Sequence, residues 1–320
     1  MKPSKRRLNN IVAIGVLGAT MCLGIASAAA QEYFTSPEEA VDRLVAAIRE
    51  GNSSRIVSVL GGSRSSRQIV ESGDPVADAK ARATFVAAYD TRHRLVGEHS
   101  NNKRILLIGD KDWPFPVPVV KYRKVWRFDP VAGSDEIFFR RIGRNELNAI
   151  QVCLAYVDAQ NEYASINPEK GMTAAYAQRF MSQPGKKDGL YWPDEAQGPK
   201  SPLGSAVAAA TREGYRFGDS PIPYHGYYYK ILTSQSGAAP GGAMNYVVKG
   251  RMVGGFALLA YPAEYGNSGV MTFIVNHAGV VYQKDLGLRT SRLARRIDDF
   301  SPDATWKKVP DADLAVAVGP

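Results

Sequence analysis

Short apolar and aromatic runs fill the last third of the chain, and a turn containing glycine separates each run from the next. The runs lie near residues 226–235, 244–249, 255–261, 270–276 and 279–284. The segments between them, which include APGG, EYGNSG and NHAG, place glycine where a tight hairpin turn needs a positive φ. This pattern predicts an antiparallel β-meander.

A long amphipathic helix is predicted before the meander. The segment NELNAIQVCLAYVDAQNEYA begins at Asn145 and places Leu147, Ile150, Leu154 and Val157 on one stripe at helical spacing. One long helix followed by antiparallel strands is typical of an α+β fold, and it argues against a doubly wound α/β sheet.

The first half of the chain predicts helices followed by strands. Ser36 is the expected N-cap of the first helix, Glu39 completes a capping box, and Gly51 ends the segment. A second helix is predicted from Asp74 to about Tyr89. Strands are then expected in KRILLIG, VPVVKYRKVWRF and EIFFRRIG.

These elements predict two domains after the leader. The first domain covers residues 31–144, and the second covers residues 145–320. A segment rich in glycine, proline and lysine, at 182–204, is expected to form a long surface loop within the second domain.

The first thirty residues have the layout of a secretory signal peptide. Basic residues precede an apolar run over 11–26, and a small-residue stretch follows, so cleavage is expected after Ala30. The apolar run is shorter than the roughly 20 residues that span a bilayer. Met21 before Cys22 argues against a lipoprotein signal. The mature protein is therefore expected in the periplasm or outside the cell, without a transmembrane helix.

Charge and cysteine usage narrow the possible partners and cofactors. The whole chain has a formal charge of +9, of which four positive charges belong to the predicted signal peptide, so the mature charge is +5. This mild excess does not predict nucleic-acid binding. Cys153 is the one cysteine left after cleavage, which excludes an internal disulfide and a paired-cysteine zinc site. His93 and His99 have no regular ligand spacing, and no cofactor motif is present, so neither a metal nor a cofactor is expected.

Long motifs along the mature chain resemble one bacterial family. They include WPFPVPVV, RRIGRNEL, AIQVCLAYVDAQNEYA, GLYWP, YHGYYYKILTSQ and FALLAYPAEYGNSGVMTFIVNHAGVVYQKDLG. On these motifs the chain is identified as a member of the secreted family called domain of unknown function 2950, over about residues 33–306. This resemblance implies an envelope protein and carries no catalytic residues with it.

Two further resemblances concern the fold alone. The part from Asn145 onward is similar to the periplasmic part of pilins and pseudopilins, in which a long helix packs on an antiparallel sheet. About 110 residues precede this helix here, so assembly into a filament is not expected. The first part resembles the NTF2-like fold, with helices followed by strands that carry the Trp126-x-Phe128 pair.

Candidate ligand-binding residues come from the aromatic segment PYHGYYYKIL and from one hairpin turn. Strand alternation predicts that His225, Tyr227 and Tyr229 share one face, beside Tyr224. That face is either an aromatic platform for a flat ligand such as a sugar, or core packed on the 146–164 helix. His277 is expected at a hairpin tip, where Asn276 and Gly279 favour a turn.

Two arginine clusters are candidate anion-binding sites. Arg140, Arg141 and Arg144 lie at the predicted domain junction, where a structural role is also open. The second cluster, over 289–296, is followed by acidic residues and is expected to be a solvated helix face.

No catalytic constellation is visible, so the favoured function is a non-enzymatic module that binds an unknown envelope protein or polymer. One alternative is a periplasmic hydrolase that acts on envelope polymers, with His225 or His277 as the base. Another is a structural subunit of an envelope assembly.

Overall fold

The computed structural model describes residues 31–97, 102–168, 170, 173–194, 198–217 and 221–318. The predicted signal peptide and His99 lie outside these residues. Helices and antiparallel sheets alternate along the described chain, so the predicted α+β class is confirmed.

The helices fall into an N-terminal group, one long central helix, and short helices around the C-terminal sheet. Their bounds are α1 Pro37–Arg49, α2 Ser53–Val59, α3 Arg64–Val70, α4 Pro75–Thr91, α5 Pro130–Ile166, α6 Gly204–Glu213, α7 Thr290–Ala294 and α8 Asp311–Val318, with a 3₁₀ turn at Gly287–Arg289. Among these described helices, none is both long enough and apolar enough to cross a membrane.

The strands form two larger sheets and two small two-stranded ones. Those of the first half are β1 His93–Val96, β2 Lys103–Ile108, β3 Trp113–Pro114, β4 Val119–Tyr122 and β5 Val125–Phe128. Those of the second half are β6 Tyr227–Leu232, β7 Ser234–Gln235, β8 Met244–Asn245, β9 Val247–Val248, β10 Arg251–Met252, β11 Ala257–Pro262, β12 Met271–Asn276, β13 Tyr282–Asp285 and β14 Lys307–Lys308.

A side-chain cap starts α1 where the sequence predicts. The Ser36 hydroxyl accepts a hydrogen bond from the Glu39 backbone N–H at 3.0 Å. The Glu39 carboxylate accepts from the N–H of Thr35 at 2.8 Å rather than from that of Ser36, so the capping box is displaced by one residue. The short helices α2 and α3 were not predicted, because seven residues carry little periodicity.

The strand predicted over 136–143 is wrong, since these residues belong to α5. Asp129 caps this helix by accepting from the Ala132 N–H at 3.2 Å, and Pro130 occupies its first turn. Glu136 and Arg140 form an ion pair at helical i, i+4 spacing. Aromatic and β-branched residues favour a strand here, but the cap and the tertiary contacts of the helix prevail.

The predicted boundary at 144/145 falls inside α5, which continues through it without a break. The division into two domains stays a prediction. Buried apolar side chains nevertheless form two clusters, one between Phe34 and Phe128 and one between Ala149 and Val309. Ile137 packs against the first cluster and Ile150 belongs to the second, so α5 contributes to both.

The C-terminal sheet carries the second core. Its strand order is β14-β13-β12-β11-β6, and all neighbours are antiparallel. The helix α5 packs against β11 and β12. On β6, Lys230 points to the C-terminal segment, where its ammonium donates to the Ile297 carbonyl at 2.8 Å. Since neighbouring strand residues face opposite sides, Tyr229 is directed to the other layer.

The predicted loop at 182–204 has no regular helix or strand in its described part, and α6 begins at its end. Two of its side chains, Leu190 and Trp192, are buried in the second core. The Trp192 indole N–H donates to the Pro199 carbonyl at 3.1 Å. The loop is thus tied to the core through its GLYW segment, although its composition suggests a wholly exposed surface loop.

Two glycines of α5 provide a test of the continuous helix. A Cβ at Gly143 has no atom within 4 Å, whereas a Cβ at Gly133 would lie 2.5 Å from the Pro116 carbonyl oxygen. We expect Gly143→Ala to raise the free energy of unfolding by about 0.5–1 kcal/mol, because alanine loses less backbone entropy in a helix. We expect Gly133→Ala to lower it by about 1–3 kcal/mol through overpacking. Urea denaturation of both variants measures the two changes in the free energy of unfolding. Destabilisation by Gly143→Ala would contradict a helix at this position.

Candidate functional site

The aromatic segment begins with a tight turn rather than with a strand. The Tyr224 N–H donates to the Tyr227 carbonyl at 2.8 Å, and the Tyr227 N–H donates back to the Tyr224 carbonyl at 3.2 Å. Between them, His225 has a φ of 50° and Gly226 a φ of 80°. Two central residues with positive φ are the signature of a type I′ hairpin turn, which favours glycine at the second position.

The prediction that His225 shares a strand face with Tyr227 and Tyr229 is therefore wrong. Strand alternation begins at Tyr227, and His225 projects from the turn instead. The two central residues of the turn, His225 and Gly226, lie outside the strand, so the His225 side chain does not follow the two-residue repeat of the strand.

Tyr227 and Tyr229 pack in the second core. Tyr227 is fully buried, and its hydroxyl donates to the Met271 carbonyl at 2.9 Å. The Tyr229 hydroxyl is also buried and has no hydrogen-bond partner among the described residues. Burial raises the pKa of both phenols well above the ordinary value. Of the two alternatives for this face, the structure thus favours core, and Tyr224 and His225 remain at its rim.

The carboxylate of Asp74 connects this turn to the N-terminal half. Asp74 is 1% exposed and is the N-cap of α4, where one carboxylate oxygen accepts from the N–H groups of Val76 and Ala77, each at 3.1 Å. The other oxygen accepts from the Gly226 N–H and from the Tyr215 hydroxyl, each at 2.9 Å. Four donors and the helix N-terminus thus compensate a charge that would be costly to bury alone.

Tyr215 completes this buried cluster. Its hydroxyl accepts from the His225 N–H at 3.2 Å while it donates to Asp74. The pKa of this phenol is raised well above its ordinary value, first by burial and then by the neighbouring carboxylate. Tyr215 therefore keeps its proton, which the bond to Asp74 requires.

An outer layer of charged groups lies on this cluster. The His225 Nε2 atom is 3.6 Å from a Glu213 carboxylate oxygen, and the same oxygen is 3.7 Å from the Lys80 ammonium. Both side chains of the His225–Glu213 pair are partly exposed, at 25% and 30%. Desolvation lowers the pKa of His225, and Glu213 opposes this shift. The imidazole is thus predominantly neutral near neutral pH, so it is available as a hydrogen-bond acceptor or base.

An open groove between α4 and α6 borders these charges. Its lining consists mostly of small apolar side chains, with Lys80, Arg212 and Glu213 at the edges. The small members of the lining are Pro75, Val76, Ala79, Ala83, Ala209 and Gly214. We call this surface the α4–α6 groove. Its charged wall is Lys80 and Glu213 on the lining, together with His225, which contacts Glu213 just beyond the lining.

His277 lies at the opposite end of the sheet. The predicted turn is confirmed, since the Asn276 side chain accepts from the Ala278 N–H at 3.1 Å and Gly279 has a φ of 75°. In the sheet register, Asn276 and Leu232 both pair with Ala257, whereas His225 precedes the other end of β6. About 17 Å of strand separates these ends, at about 3.3 Å per residue. The structure therefore does not bring the two histidines together.

The first arginine cluster is spread over different environments. Arg141 donates to the carbonyls of Gln68 and Ile69 at 2.8 and 2.7 Å, and to the Asn267 side chain. Arg140 pairs with Glu136 and lies over the Trp113 ring. The donors of Arg141 are thus engaged in joining α5 to neighbouring segments. Arg144 lies near enough to His225 to disfavour its protonation.

The remaining reactive side chains have structural surroundings. Cys153 is buried, and desolvation raises its thiol pKa to about 12. The His93 ring stacks on Tyr89, with 3.8 Å between the ring centres. Within the described ranges, no three of the His, Cys, Asp and Glu side chains are grouped to hold a metal ion.

Sequence reasoning missed two central members of this site, Tyr215 and Glu213. The Asp74-Pro75 pair did predict a helix start, but a cap gives no sign of what binds its second carboxylate oxygen. The turn at His225 and Gly226 could have been predicted from the sequence, because a His-Gly pair between aromatic residues fits a hairpin turn as well as a strand.

The hydrogen bonds around the Asp74 carboxylate predict unequal effects of substitution at two N-cap aspartates. Asp74→Ala removes four accepted hydrogen bonds and leaves the Tyr215 hydroxyl and the Gly226 N–H without their acceptor. We expect a loss of about 3 kcal/mol in the free energy of unfolding. The matched control Asp129→Ala, at the α5 N-cap, removes one helix-capping bond and is expected to lose about 1 kcal/mol. Equal losses of unfolding free energy in urea denaturation would contradict the role of Asp74 in joining α4 to the turn.

The lowered pKa of His225 predicts a pH dependence. Between this lowered pKa and the unfolded value of about 6.5, the unfolded chain binds more protons than the native protein. The contribution of His225 to stability is therefore complete above the unfolded pKa and is lost as pH falls through this window. His225→Asn keeps a residue that tolerates positive φ but does not titrate. Urea unfolding at about pH 7.5 and about pH 5 should show a smaller acid destabilisation in the variant, and an unchanged difference would refute the assignment.

Residues 31–309 match the family model described as Protein of unknown function (DUF2950). No curated protein matches the chain, and no solved structure does.

Proposed function

From the premise that this chain belongs to the DUF2950 family of proteins of unknown function, we propose that it is an exported envelope protein that binds a partner protein in the α4–α6 groove. Membership confirms the resemblance found in the sequence motifs. The proposal includes cleavage after Ala30, location in the periplasm or outside the cell, and a binding role without catalysis.

The exposure of α4 is the observation that carries this proposal. This helix has 17 residues, yet Tyr89 is its one buried residue. A helix on a globular protein usually buries a continuous stripe against the core. Here the face that includes Ala79 and Ala83 stays open beside α6. Small side chains on both walls allow a partner helix or an extended segment to come close to the backbone.

The charged wall supports a specific orientation of that partner. Lys80 and Arg212 offer positive charge at the edge of the groove. Beyond the lining, the neutral imidazole of His225, which contacts Glu213, offers an acceptor. The buried bonds of Asp74 hold the turn that carries His225, so the wall is preorganised by the fold. Preorganisation lowers the entropy that binding costs.

The finer fold likenesses belong to the same proposal. The packing of α5 on β11 and β12 supports a pilin-like second half, and the helices beside β1–β5 support an NTF2-like first half. A structural subunit of an envelope assembly would use the same groove for a neighbouring subunit.

Crosslinking tests the groove directly. A photoreactive residue at Ala83 should capture a partner in the intact cell, and the same residue at Ala81, which is exposed on α4 but outside the groove, should not. Ala83→Arg should remove the crosslink from a second groove position at Ala209, because a long charged side chain fills the space. Ala81→Arg is the matched control and should leave this crosslink intact.

The protein recovered from the periplasm or the medium should begin at Gln31. Capture at both helix positions, or at neither, would overturn the groove as the binding site. A cytoplasmic, uncleaved protein would overturn export.

A second candidate function rests on the His225–Glu213 contact. A neutral imidazole 3.6 Å from a carboxylate can serve as the general base of a hydrolase that acts on envelope polymers. Release of products from such polymers that His225→Asn abolishes, while the Ala83 crosslink persists, would favour the hydrolase.

A further inference from the structure

A second surface, far along the chain from the α4–α6 groove, combines four arginines with one exposed leucine. Leu288 is 90% exposed, the most exposed of the large apolar side chains described. It shares one shallow depression with Ser291 and the arginines. The four arginines are Arg289, Arg292, Arg295 and Arg296. We call this the Leu288 surface.

The fold presents these side chains together. The 3₁₀ turn at Gly287–Arg289 continues directly into α7, so the arginines recur at spacings of three and four residues on one side. Thr290 and Ala294 are fully buried and anchor the opposite side in the core. The packing of α7 therefore directs its basic side outward, and these arginines belong to an ordered element of the fold.

The charge of this surface is not neutralised within the described part of the chain. All four arginines are exposed, and none of their guanidinium groups takes part in an ion pair with a described carboxylate. The nearby Asp298 pairs instead with Lys230, and Asp285 accepts from the Gly287 N–H and the Tyr265 hydroxyl. Of the acidic residues behind this cluster, Asp298 is thus directed to Lys230, and neither it nor Asp299 forms an ion pair with the four arginines among the described contacts.

We propose that the Leu288 surface docks the protein on an anionic lipid bilayer. Clustered arginines suit phosphate-bearing headgroups, to which guanidinium groups can donate two hydrogen bonds at once. A single projecting leucine amid them can enter the boundary between headgroups and acyl chains, as the apolar side of an interfacial helix does. A polyanion such as a nucleic acid would recognise the arginines but gain little from an isolated leucine.

The lipid proposal is independent of the partner groove. A membrane-bound protein that keeps its α4–α6 groove open would present that groove to partners at the bilayer. Failure of either proposal leaves the other standing, because the two surfaces share no residue.

Vesicle flotation tests the proposal with the chain from Gln31 onward, which holds every described element. This choice leaves out the apolar leader, which would itself bind lipid. The protein should float with phosphatidylcholine vesicles that contain about one third phosphatidylglycerol, and it should stay behind with pure phosphatidylcholine. Binding should weaken as salt is added, since the attraction is screened.

Three variants separate charge from apolar insertion. Each arginine near such a surface strengthens binding about fivefold, so Arg292→Gln with Arg295→Gln should weaken it about 25-fold and reduce the salt dependence. Leu288→Ser should weaken binding several-fold and leave the salt dependence unchanged. The double control Arg43→Gln with Arg64→Gln removes the same charge from exposed positions in the first half and should have little effect.

Several outcomes would overturn the proposal. Equal flotation with neutral and anionic vesicles would exclude headgroup recognition. An equal loss of vesicle binding in the control variant would show that only the net charge of the protein matters. Inorganic phosphate at constant ionic strength should not compete, so full competition would indicate a discrete phosphate site instead of a surface. Binding to a nucleic acid as tight as to vesicles, and unaffected by Leu288→Ser, would assign the arginines to a polyanion.

Discussion

The carboxylate of Asp74 is the interaction on which the arrangement of the two halves depends. It starts α4 in the first half and at the same time holds the His225–Gly226 turn of the second half. A buried carboxylate is stable where donors surround it, and here two helix N–H groups, one turn N–H and one phenol provide them. The position of the candidate site follows, because the groove and its charged wall are built on these same segments.

The helix α5 supplies the second constraint. It passes from the first core to the second without interruption, and Arg141 on it donates to carbonyls at the end of α3 and to Asn267 beyond β11. Because one helix contributes side chains to both cores, the packing of both fixes its position. Gly226 shows how close the second half comes to it, since a Cβ there would lie 2.4 Å from the Asn145 amide nitrogen.

Tyrosine is used as a core residue throughout the second half. The chain has 16 tyrosines, and several of the buried ones reach a backbone carbonyl with their hydroxyl. Tyr156 donates to Ala257, Tyr163 to Lys187 and Tyr227 to Met271. A phenol fills volume as an apolar ring and pins a neighbouring segment with its hydroxyl, which explains an aromatic strand without a ligand.

The sequence by itself determined the α+β class, the family, the capped helix starts at Ser36 and Asp74, and the strands β6, β11, β12 and β13, because caps, periodicity and turn glycines act over a few neighbouring residues. It predicted one continuous meander, whereas the run at 244–249 lies in the two small sheets and β6 pairs directly with β11. It predicted a strand at 136–143, where local propensity opposed the longer helix. Only the tertiary structure decided that Tyr227 is core, that His225 stands at a rim beside Glu213, and that His277 lies at the far end. Asp74 and Gly226 are separated by 152 positions in the chain, and contacts of that range depend on how whole elements pack, which no local pattern records.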